Sequence, residues 1–211
     1  MSMKVLAVGA QKGGVGKTTT AIYLAARAAE LFGGTAERAV VGLIDRDESQ
    51  NLATLVRMRP EILPVGVVLC TGPALPLDAG LELVIIDTPP GLSAIDSLRE
   101  ANFVVIPVLP EEQGVNNFAT YLRNIDRFSL MTNPTMRLVA ALPTLVEARS
   151  LMHRALLPVV ERVARGHQPP LALLPAIPRR SQIRDVDLRA PFYDMAAKEL
   201  WSHAGITPVA V

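Results

Sequence analysis

The chain has one cysteine, Cys70, in 211 residues. No internal disulfide can form, and a lone thiolate cannot hold an iron–sulfur cluster. A reducing cytoplasm fits that cysteine usage. Long apolar runs are also missing. Hydrophobic residues make up 50% of the chain, yet no run approaches the roughly 18 residues that cross a bilayer. The first residues lack the basic-then-apolar pattern of a secretory leader, and residues 1–9 read as a short strand. The histidines, His153, His167 and His203, lack the spacing of metal ligands. The formal net charge is only +1, which by itself calls for no polyanionic partner. Linkers, repeats and low-complexity tracts are absent. Residues 1–211 are therefore expected to form one domain. A chain of this size can bury about 70% of its unfolded surface.

What is present is an alternation. Short apolar runs at 5–8, 39–44, 65–69, 81–86, 103–108, 138–142 and 171–174 read as strands. Between them lie segments of helical spacing at 18–32, 49–58, 114–131 and 149–165, with a last one at 192–203. Pro158 is expected to kink or split the fourth of these. This order predicts an α/β domain, a mostly parallel central sheet with helices on both faces. Cys70, Tyr23 and Trp201 read as packing residues.

The most specific segment lies between the first strand and the first helix. It reads Gln11-Lys12-Gly13-Gly14-Val15-Gly16-Lys17-Thr18-Thr19. Small residues let several backbone N–H groups point into one concavity, and the next helix adds the positive end of its dipole. The product is an anion site for a di- or triphosphate. Glycine permits both the close approach and positive φ. Lys17 suits the β- and γ-phosphates, and the Thr18 hydroxyl suits Mg²⁺. Asp87 ends the run Leu83-Val84-Ile85-Ile86 and opens Asp-Thr-Pro-Pro-Gly. A carboxylate there meets the requirement for a second Mg²⁺ contact, because carboxyl ends of parallel strands converge where phosphates bind. Its plainer reading is a strand-end turn residue.

The common phosphate-loop pattern would need glycine at position 11, where this chain has Gln11, and Lys12 comes one place before the glycines. K-G-G-x-G-K-T is the deviant Walker A form, and through it the chain resembles the ParA/MinD group of ATPases. The resemblance implies a P-loop NTPase fold, ATP and Mg²⁺ as cofactors, and weak hydrolysis unless stimulated. It implies that Gly13, Gly14, Val15, Gly16, Lys17, Thr18 and Thr19 hold the nucleotide. It implies that Lys12 reaches a partner subunit's nucleotide across a homodimer formed on ATP binding. Asp45-Arg46-Asp47 resembles the family's D-x-D-P-Q switch. By that match Asp45 lies near Mg²⁺ and Asp47 orients the attacking water. Glu48 and Ser49 replace the usual Pro and Gln, while Asn51 still matches. As a bare sequence feature, Asp47 reads equally as a turn-and-cap residue before a helix. Ile177-Pro178-Arg179 resembles the family's I-P-R turn, which implies Pro178 and Arg179 at the adenine.

Charge distribution supplies one more lead. Between positions 137 and 189 nine arginines face four acids. The family binds DNA without sequence preference, so Arg149, Arg154, Arg179, Arg180, Arg184 and Arg189 are candidate phosphate contacts. With only four lysines in the chain, arginine is also simply its usual surface cation. The resemblance is to the short ParA type with no preceding helix-turn-helix. It implies a cytoplasmic, nucleoid-associated partition ATPase, a ParB-like partner and no membrane. A MinD-like membrane cycle is an alternative, but residues 204–211 lack lysine and arginine. A ligase of the dethiobiotin synthetase type is a third reading.

Overall fold

The computed structural model describes residues 3–72, 74–77 and 79–207. A single sheet of seven parallel strands runs through it, in the order β3-β2-β4-β1-β5-β6-β7. The strands are β1 (Lys4–Val8), β2 (Val41–Asp45), β3 (Val67–Cys70), β4 (Leu83–Asp87), β5 (Phe103–Val108), β6 (Arg137–Pro143) and β7 (Ala172–Leu173). The helices are α1 (Lys17–Leu31), α2 (Asn51–Met58), α3 (Ile95–Leu98), α4 (Glu112–Thr132), α5 (Leu151–Gly166), α6 (Ser181–Arg184) and α7 (Asp194–Ala204).

The central strands are apolar throughout because both faces are covered. Successive side chains alternate between two cores. Leu6 and Val8 of β1 join Leu83, Ile85 and Val105 beneath α1 and α7. Ala7 joins Val104 and Ile106 on the other side, against Phe118, Leu122 and Ile125 of α4 and Val160 of α5. Each fully buried Leu or Ile contributes about 1.5–3 kcal/mol. The helix α1 ends at a glycine, as its sequence predicts. Gly33 has φ 66°, and the Gly34 amide donates back to the Ala29 carbonyl.

The structure departs from the sequence reading at three places. Pro158 does not split its helix, and α5 runs unbroken from Leu151 to Gly166. Its ring sits on the exposed side, where a missing N–H disturbs little packing. Cys70 is half-buried rather than core, because β3 is an edge strand with one open side. The short helices α3 and α6 were not expected, since four residues carry no readable periodicity. Of the segment weighed for membrane binding, residues 208–211 lie outside the described residues. No described helix is long and apolar enough to cross a membrane.

Candidate functional site: a phosphate loop over paired strand-end carboxylates

Parallel strands put their carboxyl ends on one edge. The register there is informative. Val8 of β1 and Asp45 of β2 both pair with Asp87 of β4. The chain leaving β1 is therefore delivered directly above two carboxylates that are far apart in sequence.

That chain is the glycine loop. Gly14 (φ 77°) and Gly16 (φ 88°) occupy the left-handed region. A Cβ on Gly13, Gly14 or Gly16 would meet nothing within 4 Å. The loop is thus an open cradle rather than a packed turn. Gly16 caps α1, and the Thr20 amide donates to its carbonyl at 2.8 Å. Two hydroxyls fix the loop's base. Thr88 Oγ1 donates to the Val8 carbonyl (2.9 Å), and Thr144 Oγ1 donates to the Val15 carbonyl (2.8 Å). Sequence reading missed both. The available signal was a threonine directly beyond a strand's carboxyl end.

The loop opens on a cavity of about 720 Å³, within the range that holds a small ligand. Gly13, Gly14, Gly16, Lys17, Thr18 and Thr19 form one wall, with Asp47 and Asn51 beside them. Thr144, Leu145, Ile177 and Arg179 contribute the far end, and Arg180, Ser181, Ile183 and Arg184 with Tyr193 close the opposite side. Val15 is buried behind the loop. Lys12 is exposed at its front, where Nζ donates to Gln113 Oε1 at 3.1 Å.

The electrostatics are those of buried carboxylate and ammonium groups held close together. Asp87 is 1% exposed. Burial pushes its carboxyl up to about 7; the Thr18 hydrogen bond opposes this, Asp45 and Asp47 add to it, and Lys17 opposes it. Burial likewise pushes the Lys17 ammonium down, against the pull of Asp87 and Asp47. The Thr18 hydroxyl donates to Asp87 Oδ2 at 2.6 Å, whereas the buried Oδ1 has no hydrogen-bond partner among the described residues. Thr18 and Asp87 thus offer hard oxygens at one point, and Asp45 ends the adjacent strand. That set fits Mg²⁺, which takes few protein oxygens and fills its octahedron with water and phosphate. Among the described residues no cluster of three acidic, His or Cys side chains could hold a metal unaided.

The raised Asp87 pKa has a stability consequence. Below about 4 the carboxyl is protonated in both folded and unfolded chains. Between there and about 7 the unfolded chain releases its proton while the folded one keeps it, so stability falls as pH rises. Above 7 the penalty is complete. Asp87→Asn, which still accepts from Thr18, should therefore stabilise the nucleotide-free protein. The expected gain at pH 8 is on the order of 2–3 kcal/mol, or roughly 5–10 °C, and nearly none at pH 4. Thermal melts of both proteins across that range check it; a gain independent of pH would contradict it.

The switch segment is bonded to itself and to α2. Asp45 Oδ1 accepts from the Asp47 amide and Oδ2 from the Ala53 amide, both at 3.0 Å. Asp45 thus ties the end of β2 to the first turn of α2. Asp47 Oδ1 accepts from the Ser49 amide (3.0 Å) and the Ser49 hydroxyl (2.7 Å). Asn51 Nδ2 in turn donates to Ser49 Oγ at 2.7 Å. Ser49 therefore holds the Asp47 carboxylate at the cavity rim.

The remaining expected residues separate. Arg179 lines the cavity, but Pro178 does not. Pro178 pairs with Val146 and lines an adjoining hollow of about 480 Å³ with Arg149. Arg179 and Arg180 border both hollows, whereas Pro178 borders only the smaller one. Of the six arginines weighed for DNA, Arg179, Arg180 and Arg184 line the nucleotide-sized cavity. Arg179 pairs with Glu147 (2.6 Å), Arg184 with Asp185 (3.2 Å) and Arg189 with Asp187 (2.9 Å). Arg149 and Arg154 are exposed, do not line the cavity, and form no ion pair with a described residue.

Comparison with known proteins agrees with this geometry. Residues 3–64 match the family model described as AAA domain. The ATP complex of a McdA variant from Cyanothece superposes with TM-score 0.75 at 18% identity, covering 100% of this chain and 99% of that one. That likeness is one of fold. Cobyrinic acid a,c-diamide synthase from Mycobacterium smegmatis, with a bound ATP analogue and magnesium, gives TM-score 0.70 at 27% identity. It covers 99% of this chain and 100% of that one. The chromosome-partitioning ATPase Soj of Thermus thermophilus is 30% identical over 97% of this chain and 90% of its own length. Identity at that level along nearly the whole of both chains decides the matter: the chain belongs to the ParA/MinD family, an ATPase whose cofactors are ATP and Mg²⁺.

Proposed function

We propose that this is a partition ATPase of the ParA type, which binds nonspecific DNA as an ATP-bound homodimer. A ParB-like partner then stimulates hydrolysis and releases the subunits into the cytoplasm from the nucleoid. The observation that carries the reading is Lys12. It stands exposed at the front of the phosphate loop, and among the described residues its ammonium makes one hydrogen bond, 3.1 Å to Gln113. A lysine so placed is free to neutralise a phosphate on a second copy. The likeness to Soj supports the partition role. In this reading Gly13–Thr19 cradle the phosphates. Lys17 contacts the β- and γ-phosphates, and Thr18, Asp87 and Asp45 serve Mg²⁺. Asp47 orients water, and Arg179 lies toward the nucleoside. Mg²⁺ held by these residues would supply neutralisation of the phosphate charge.

The test is a gel shift on random-sequence DNA, comparing ADP with a nonhydrolysable ATP analogue. Retardation is expected with the analogue alone; equal retardation with both would remove the ATP-gated reading. Phosphate contacts release counterions, so affinity should fall about 100- to 1000-fold when salt rises fourfold. Substituting Arg149 and Arg154 together by alanine removes four cations from the dimer and should reduce the salt slope by about 4, read by fluorescence anisotropy. A slope that stays unchanged would move the DNA face elsewhere. The likeness to the diamide synthase favours a second reading, an ATP-dependent ligase. Hydrolysis that responds to a small carboxylic acid or diamine, and not to DNA, would select it.

A further inference from the structure

The cavity wall opposite the phosphate loop is held by the loop's own helix. Thr20, Tyr23 and Arg27 lie on one face of α1, three and four residues apart. All three leave the helix for residues 181–194. The Tyr23 hydroxyl donates to the Asp187 carbonyl at 2.8 Å, with the Gln182 carbonyl at 3.3 Å. The Tyr23 ring stacks on Tyr193, with centroids 4.5 Å apart and planes inclined by 12°. Tyr193 Oη lies 3.0 Å from Thr20 Oγ1. Arg27 Nη2 donates to the Leu188 carbonyl at 2.9 Å, and its Nε lies 2.7 Å from the Asp194 carboxylate. Tyr23 is 0% exposed and Tyr193 1%, so water does not compete for these bonds.

The clamped backbone is not one that would hold itself. Val186, between the two carbonyls that Tyr23 reaches, has φ 55°. A β-branched residue avoids that region, and such strain persists only where surroundings over-determine it. The Asp187 amide closes the same turn on the Gln182 carbonyl at 2.8 Å. Within this turn lie Ile183 and Arg184, which line the cavity. Tyr23 itself does not line it. Packing alone would account for a buried phenylalanine at 23. It does not account for a hydroxyl spanning both ends of a strained turn.

We infer that Tyr23 is a positioning residue for the nucleoside half of ATP: its hydroxyl, with Thr20 and Arg27 beside it, sets the turn that presents Ile183 and Arg184 to base and ribose. This rests on the ATP reading of the cavity. A wall ordered before the ligand arrives spares the ligand that ordering. Because the clamp springs from α1, the phosphate cradle and the nucleoside wall share one rigid body.

The experiment uses Tyr23→Phe, which keeps the ring and its stack and removes only the hydroxyl. Calorimetric titration with MgATP and with magnesium tripolyphosphate separates the two halves of the site. ATP binding should weaken about five- to tenfold, the loss of one buried hydrogen bond. KM for ATP should rise with it, kcat should hold, and tripolyphosphate binding should not change. Arg27→Met, which frees the Leu188 carbonyl, should act in the same direction. Equal weakening of both ligands, in step with a lowered Tm, would reduce the clamp to a fold-stabilising role and overturn the inference. So would wild-type ATP affinity in both variants. A wild-type protein that binds tripolyphosphate but not ATP would instead remove the reading of the cavity on which the clamp rests.

Discussion

Lys17→Ala should lower ATP turnover by about 100- to 1000-fold, the range seen when one preorganised donor to a developing charge is lost. The reasoning begins with burial. Lys17 is 7% exposed, and desolvation holds its pKa below the usual lysine value. A charge kept in such surroundings adds nothing to stability that packing could not replace. Its surroundings account for it only if a polyanion completes them. Asp87 and Asp47 draw the ammonium toward the Mg²⁺-type oxygens, at the first residue of the helix whose N-terminus faces the cradle. Removing it should therefore empty the site of ATP without unfolding the domain. Nucleotide titration should show the lost affinity, circular dichroism an intact fold, and sedimentation no ATP-dependent shift. Lys17→Arg should not rescue activity, because a planar fork does not fit where a point charge threads between two carboxylates and a phosphate. Normal turnover in Lys17→Ala would mean that the glycine loop is not the phosphate site.

The loop was readable because it is local. Nine consecutive residues carry the glycines, the lysines and the first hydroxyl, and no tertiary information is needed to bring them together. Asp45 and Asp87 were readable for a different reason. Each ends an apolar run, and a parallel sheet places such ends side by side. What could not be read is whatever depends on which distant backbone passes a given side chain. Thr144 meets Val15 across 129 positions, and Tyr23 meets Asp187 across 164. Neither Thr144 nor Asp187 belongs to a motif. Tyr23 read as packing because burial is all that helical spacing encodes; the carbonyls it meets belong to a segment without periodicity. The arginines could not be sorted from sequence for the same reason. A charge count along the chain cannot tell that Arg180 and Arg184 turn into the cavity while Arg149 and Arg154 remain outside.

Asp47 carries the second large effect, because its two readings predict opposite results for one substitution. The carboxylate lies on the cavity rim, with Oδ1 held by the Ser49 amide and hydroxyl. As a turn residue, its work would be to accept those bonds and start the loop toward α2. As a water-orienting residue, its work would be done by a charged oxygen facing the γ-phosphate. Asp47→Asn separates these. An amide oxygen still accepts from Ser49, so a turn role survives, but the negative charge is gone. If Asp47 orients water, Asn and Ala should be equally slow, at least about 100-fold below wild type in single-turnover hydrolysis. ATP affinity should hold or rise in both, since a carboxylate beside a polyphosphate repels it. The ATP-bound dimer should then accumulate and stay on DNA. Near-wild-type hydrolysis in Asp47→Asn with loss in Asp47→Ala would leave Asp47 only its turn. Ser49→Ala refines the result. It removes the 2.7 Å bond and keeps the amide, so the carboxylate gains freedom. Partial loss of hydrolysis there, with ATP affinity intact, would indicate that the serine replacing the family's glutamine does the aiming.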